Sequence, residues 1–366
     1  MSTSSRPESI LASRHRALGS NLEDWNGVGT PWSYTADACD EHDAIRETAG
    51  LFDVVGLKKV WVRGPDALSV VDHLNTRDMT KIDVNQSVYG LILTEQGTIT
   101  DDAIISNMGN DEYLVIHGTG NCMAMLESSA EGKNVTVEPD DSIQSVALQG
   151  PKSLEILEAH TPFDLASLKY FHLTHTTLFG FDVMISRTGF SGERGYEIYS
   201  DRDNMPAIWD KILEIGADAG VIPCSFDCLD KVRVEAALLF YPYDMHEEIS
   251  PWEVNMDWAV SRKKTDFRGR DAAFALEGKN KVTLVGLVFD HNEILEDGDL
   301  YIDGNKVGTV NSPVFSHRMH GSIALGHVTP GNEAVGTQLE VRGTVNTTAV
   351  IHSLSFYDPE KKASRD

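Results

Sequence analysis

The sequence predicts an α+β fold made of two α+β units followed by a small C-terminal β-barrel. Three observations carry that reading. Strand, helix and three further strands follow one another between residues 59 and 116. A similar arrangement returns between residues 144 and 199, without a strict sequence repeat. From Lys281 onward the texture changes to short strands and turns. A chain of 366 residues with 41% hydrophobic content has room for two or three packed cores.

In order, the glycine- and proline-punctuated stretch Asn26-Gly-Val-Gly-Thr-Pro-Trp32 reads as a loop. Asp40 to Gly50 reads as a helix with Gly50 as its C-cap. Strands are expected at Lys59–Arg63, Ser87–Thr94, Ala103–Ser106 and Tyr113–Ile116, and helical spacing of apolar residues runs from Pro65 to Leu74. The second unit offers strands at Gln144–Gln149, Phe181–Ser186 and Tyr196–Tyr199. Its helical patterns are Pro151–His160, Met205–Gly220 and Cys228–Phe240. The last region has Thr283–Phe289, a hairpin around Asp303-Gly304, Ser322–Gly326 and Gln338–Val341.

Composition excludes several functions. With 31 Lys+Arg against 56 Asp+Glu the formal net charge is −25, which repels nucleic acid. No apolar run reaches the ~18–20 residues that span a bilayer. Met1-Ser-Thr-Ser-Ser-Arg-Pro7 lacks the basic-then-apolar order of a signal peptide, so a cytoplasmic protein is expected. Cys39, Cys122, Cys224 and Cys228 match neither a disulfide framework nor paired zinc spacing, and reduced buried thiols are expected. His172 and His175, like His317 and His320, lack a third ligand at defined spacing, so no metal is expected.

Two stretches carry chemistry. In Leu93-Thr-Glu-Gln-Gly-Thr-Ile-Thr-Asp-Asp-Ala-Ile-Ile105 a turn at Gly97 is followed by two adjacent acids. Neighbouring side chains on an extended segment point to opposite faces, so only one of Asp101 and Asp102 can face a cavity. Read alone, the pair is a solvated hairpin. The second stretch, Ser186-Arg-Thr-Gly-Phe-Ser-Gly-Glu-Arg-Gly-Tyr-Glu-Ile-Tyr199, brings charge into a glycine-rich turn. Its glycine spacing is not the dinucleotide fingerprint, and a strand rather than a helix follows it.

Gly50-Leu-Phe-Asp53, Arg63-Gly-Pro-Asp-Ala67, Gly97-Thr-Ile-Thr-Asp-Asp102, Leu148-Gln-Gly-Pro151, Ser186-Arg-Thr-Gly189, Gly192-Glu-Arg-Gly-Tyr-Glu197, Val232-Arg-Val-Glu-Ala236, Asp266-Phe-Arg-Gly-Arg270 and Phe356-Tyr-Asp-Pro359 occur in this order. Over roughly residues 30–360 the chain resembles the folate-dependent aminomethyltransferase family. That family includes the glycine-cleavage T protein and folate-linked demethylases such as dimethylsulfoniopropionate demethylase. The resemblance implies two ferredoxin-like α+β domains and a barrel, arranged as a ring around a central tetrahydrofolate. The domains would be residues 1–55 with 145–240, residues 56–144 with 241–278, and residues 279–366.

The resemblance also assigns roles. Asp102 matches the catalytic aspartate near the pterin N5. Tyr89, Ile104, Tyr170, Phe171, Arg187, Phe190, Glu197 and Arg233 are implied at the folate site, with Glu197 binding the pterin edge. A flat pterin needs apolar or aromatic walls, and its N–H donors need a carboxylate. Three departures stand out. Phe190 replaces a tyrosine, Ile116-His117-Gly118 stands where many T proteins have Val-Asn, and Leu229 aligns with a folate-contacting arginine.

The leading expectation is therefore a tetrahydrofolate-dependent methyltransferase, a demethylase moving a methyl group from a small methylated donor (sulfonium, quaternary ammonium or methyl ether) to N5. Trp32, Tyr34, Tyr241 and Tyr243 are candidates to cage an onium donor. Two alternatives stand beside it. One is the T-protein reaction with a lipoylated carrier, for which Lys58, Lys59, Arg77 and Lys81 would form a docking patch. The other is a non-catalytic folate-binding scaffold, as in the family's iron–sulfur assembly branch, although the cysteine of that branch's loop is missing here. Arg187, Arg233 and the lysines near residue 58 are expected to make the site's mouth less negative than the chain as a whole.

Overall fold

The structure is a computed structural model that describes residues 7–290 and 297–366. The N-terminal segment read above for a signal peptide lies, through residue 6, outside the described residues.

Three β-structures organise the chain. A six-stranded sheet has the order Leu173–Leu178, Phe181–Ser186, Gly195–Asp201, Ile143–Gln149, Gly50–Asp53 and Ile222–Cys224, and only its last pair is parallel. A five-stranded antiparallel sheet has the order Ser87–Leu93, Ile99–Gly109, Glu112–His117, Lys58–Arg63 and Thr136–Pro139. Six strands between Thr283 and His352 close into a barrel, so none of them leaves an unpaired edge. The five-stranded sheet carries helices on one apolar face, and the six-stranded sheet has helices on both, with Ala38–Glu47 and Phe226–Glu235 against Phe52 and Ala147. Helices Ala67–Leu74 and Cys122–Ala130 pack with the five-stranded sheet, and Met205–Gly216 packs with the six-stranded one. A smaller cluster of Leu114, Ile116, Leu173, Met184 and Tyr199 joins the two sheets. Among the described residues no helix is long and apolar enough to cross a membrane.

Several local expectations are corrected. The helix expected from Asp40 runs Ala38–Glu47, capped by the Asp37 carboxylate accepting from the Cys39 N–H. It stops before Gly50, which opens a strand instead of capping the helix. A Cβ at Gly50 would lie 2.4 Å from Cys224 Sγ, so glycine serves there for close packing. The expected helix to Phe240 ends at Glu235, and Ala237 takes φ +52° as the chain turns away. The strand expected from Ala103 begins at Ile99, which draws Asp101 and Asp102 into the sheet and out of a solvated hairpin. The strand-like segment between His172 and His175 extends to Leu173–Leu178, and the polar strand Thr136–Pro139 was not read from the sequence; both form at sheet edges.

Candidate active site

A cavity of about 850 Å³ lies between the two sheets and is closed by the segment after residue 236 and by the C-terminal residues. The five-stranded sheet supplies one wall. Strand register pairs Leu91 with Asp102 and Ile92 with Asp101, and the alternation sends the two acids to opposite faces. Asp102 lines the cavity with Tyr89 and Ile104. Asp101 is fully buried on the other face. Its oxygens accept from the Asp102 N–H at 2.9 Å, the Cys122 N–H at 3.0 Å and His117 Nδ1 at 3.0 Å.

Asp102 is the electrostatic centre of this wall. Burial, reinforced by the neighbouring Asp101 carboxylate, pushes its carboxyl up to about 7, although the Tyr89 hydroxyl works against the rise. Tyr89 donates to Asp102 Oδ2 at 2.8 Å, and its ring stacks on Trp258. An acid held near neutrality can take or give a proton at physiological pH.

The opposite wall comes from the six-stranded sheet and the glycine-rich loop. Glu197 faces the cavity, and both of its hydrogen bonds, from Thr188 Oγ1 at 2.9 Å and Tyr199 Oη at 2.5 Å, fall on Oε2. Oε1 is left for a ligand. Burial raises the Glu197 pKa against those two bonds and the nearby Lys59 ammonium. Lys59 is itself buried, which pulls it down to about 8 against the Asp53 and Glu197 charges. The loop needs Gly189 because a Cβ there would sit 2.0 Å from Gln149 Oε1. Tyr170 and Phe171 meet edge to face at 4.7 Å on the cavity rim. Phe171 holds φ +57°, a strained value for an aromatic residue. Two backbone bonds keep it there: Phe171 N–H to Arg187 O, and Ser87 N–H to Phe171 O.

The fold thus brings Tyr89, Asp102, Ile104, Tyr170, Phe171, Phe190, Glu197 and Tyr241 to one cavity. Five other candidates lie off its lining. Arg187 is buried against chain carbonyls, donating to Leu168 O and Arg365 O. Arg233 pairs with Asp230 and Asp244 and donates to Ser312 Oγ, tying its helix to the barrel. Trp32 stacks on Phe226, Tyr34 bonds His15 Nδ1 in the interior, and Tyr243 is half exposed beside Phe240. The mouth's cations are instead Arg77, Lys361 and Arg365. The suggested carrier-docking patch is dispersed: Lys59 is buried, Lys58 Nζ donates to Asn26 O, Arg77 lines the cavity and Lys81 pairs with Asp78. Trp258 and His117 also line the cavity. Sequence reading marked His117 only as a departure and passed over Trp258, which no local pattern distinguishes.

A family model for the GCVT N-terminal domain matches residues 11–264, and one for the glycine cleavage T-protein C-terminal barrel domain matches residues 283–358. The chain belongs to the glycine-cleavage T-protein family. It is 44% identical over 365 residues to the heme-dependent oxidative N-demethylase gamma subunit of Ectopseudomonas mendocina, covering 97% of this chain and 96% of that one. It is 34% identical over 360 residues to an aminomethyltransferase of Moorella thermoacetica, covering 96% and 98%. The glycine cleavage system aminomethyltransferase T of Bartonella henselae superposes with a TM-score of 0.89 at 26% identity, over 97% of this chain and 99% of that one. As a T-protein family member the chain is a folate-dependent one-carbon transferase.

The residues present fit tetrahydrofolate. Glu197 Oε1 can accept from a pterin edge, Phe190 and the Tyr170–Phe171 pair offer flat walls, and the volume suits a ligand of that size. Glu197 and Tyr89–Asp102 stand on different sheets that face one cavity, so a planar ligand between them presents one edge to each.

Proposed function

We propose that this protein transfers a one-carbon unit, at the oxidation level of formaldehyde, from an oxidised N-methyl amine to tetrahydrofolate. The observation that carries the proposal is Asp102, a cavity-facing carboxyl raised to about 7 and oriented by Tyr89 opposite a second buried acid, Glu197. The 44% relative is a subunit of an oxidative N-demethylase, which supports an N-methyl donor. Two-electron oxidation of an N-methyl group yields a methylene iminium, and tetrahydrofolate supplies the N5 and N10 nucleophiles that take its carbon. The methyl-transfer alternative drew on an aromatic cage, and of the four residues suggested for it only Tyr241 reaches the cavity.

The chain's own residues divide the remaining work. Glu197 fixes the pterin edge, and the apolar walls exclude water from an electrophilic carbon. The Asp102 carboxylate accepts the proton that N5 loses as its new bond to carbon forms, and Tyr89 keeps the acceptor oxygen aimed at that position. The test is to mix the purified protein with tetrahydrofolate and the carbinolamine formed from formaldehyde and dimethylamine. Stopped-flow should show 5,10-methylenetetrahydrofolate forming faster than in the spontaneous reaction, and an Asp102→Asn variant should not exceed that background. Accumulation of 5-methyltetrahydrofolate from an unoxidised methyl donor would instead establish direct methyl transfer.

A further inference from the structure

We propose that His117, held by Asp101, is the site's second acid–base group and protonates the amine that leaves the one-carbon donor. This rests on the reading above and extends it to the donor side of the cavity. His117 ends the strand Glu112–His117, whose register sets it opposite Ala103, next in sequence to Asp102. It shares the helix-covered face with Asp101, and the cavity lining continues around the end of the strand through His117, Gly118 and Thr119. The imidazole is therefore buried yet reaches the cavity lining at the end of its strand, while Asp102 faces the same cavity from the neighbouring strand.

The hydrogen bonding sets the tautomer. His117 Nδ1 lies 3.0 Å from Asp101 Oδ2, and a carboxylate at that point makes Nδ1 the donor. Nε2 has no hydrogen-bond partner among the described residues, so it is the nitrogen free to exchange a proton. Asp101 is fixed in turn by the Asp102 and Cys122 amides, which leaves it little freedom to move. The three groups that meet its oxygens all present N–H donors, so the carboxylate is positioned to orient the imidazole. The arrangement is a buried carboxylate, an imidazole and an open nitrogen, at the edge of a cavity that already holds an acid tuned near neutrality.

Proton balance requires such a group. When the iminium carbon exchanges its bond to the amine nitrogen for bonds to N5 and N10, the electron pair of the breaking C–N bond stays on the amine. Two N–H protons are lost from the folate, one proton is gained by the amine, and one is released. Asp102 serves the folate side. A second group is needed for an amine nitrogen placed across the transferred carbon from N5, and His117 lines the same cavity as Asp102. The protonated His117 supplies that proton from Nε2 and is reprotonated by one of the two protons the folate loses.

Asp102 must be ionised to accept the folate proton, so kcat/KM should show an acid limb from Asp102. The titratable groups around His117 are Asp101 on the adjacent strand, Lys58 paired across from it, Cys122 at the following helix, Asp102 within the cavity, and Tyr241 with Glu247 from the segment after residue 236.

The experiment compares the full-length protein with His117→Asn, His117→Gln and Asp101→Asn, using the carbinolamine assay across pH and calorimetric titration with tetrahydrofolate. Asparagine keeps an N–H for Asp101 but has no titrating nitrogen. We expect kcat to fall about 10²-fold in both His117 variants, with folate Kd unchanged within about two-fold. Asp101→Asn, which removes the carboxylate that orients Nδ1, should lower kcat in the same direction with folate Kd again unchanged. The proposal is overturned if either His117 variant turns over within about two-fold of the parent. It is also overturned if the loss tracks weakened folate binding. A parent protein that binds folate but transfers no carbon from the carbinolamine overturns the donor reading instead, which separates the two failures.

Discussion

Two buried carboxylic acids in this molecule have opposite fates. Glu235, at the end of helix Phe226–Glu235, would be pushed up by burial, yet the His42 hydrogen bond, the charges of Arg46 and His42 and the Ser316 hydroxyl bring it down to about 2. Its Oε2 accepts from Arg46 Nη2 at 2.8 Å and His42 at 3.0 Å, and Arg46 also reaches Glu193 at 3.0 Å. Asp102, set in the cavity wall, has a second acid for a neighbour and a phenol in place of a cation, so it rises to about 7. Burial alone decides neither case; the partners supplied by other elements do. Glu235 is a clamp between the glycine-rich loop, two helices and the barrel, whereas Asp102 is kept reactive.

The comparison can be broken most severely at the clamp. Glu235→Ala leaves Arg46 buried beside only one remaining carboxylate and should cost about 3–5 kcal/mol of stability, read by denaturant unfolding. A loss no larger than that of an exposed substitution would mean that the clamp is idle. Asp102→Asn should do the reverse, lowering turnover by about 10²–10³-fold while the fold persists.

The pH dependence of stability sharpens the contrast, because the two acids pull it in opposite directions. Between its ordinary 3.8 and its folded value of about 7, Asp102 holds a proton that the unfolded chain has released, so its contribution to stability falls as pH rises through that window. Asp102→Asn should therefore raise Tm relative to the parent at pH 8 and have less effect at pH 4. Glu235 contributes stability above its ordinary 4.5, and that contribution is lost as pH falls toward 2. A parent-minus-variant Tm difference that stays flat from pH 4 to 8 would show that Asp102 is not raised. The smallest effect belongs to Tyr89→Phe. It removes the hydrogen bond that holds Asp102 down, so the acid limb of the rate profile should move up by about one unit with only a modest loss of rate.

Legibility in the sequence followed the range of the forces involved. Strand alternation alone required that only one of Asp101 and Asp102 face a cavity, a property of neighbouring residues. The barrel's short strands and the two α+β units were visible for the same reason. Ordered motifs pointed to Tyr89, Tyr170, Phe171 and Glu197, all of which line the cavity. The arginines were misplaced because charge partners are long-range: Asp244 for Arg233, and a carbonyl 178 residues away for Arg187. Trp32 and Tyr34 looked available for a ligand until Phe226 and His15, distant in sequence, packed against them.

The opening charge of −25 likewise excluded nucleic acid but did not locate the local cations, which are Arg77, Lys361 and Arg365 at the mouth. By itself the sequence determined the layered α+β and barrel order, the alternation of the acidic pair and the family of the chain, because these rest on periodicity and on ordered local motifs. Only the tertiary structure decided which acid is raised toward neutral pH, which arginines are engaged elsewhere and that His117 meets Asp101. A pKa and an ion pair depend on dielectric and distance, and both are set by residues that only folding brings together.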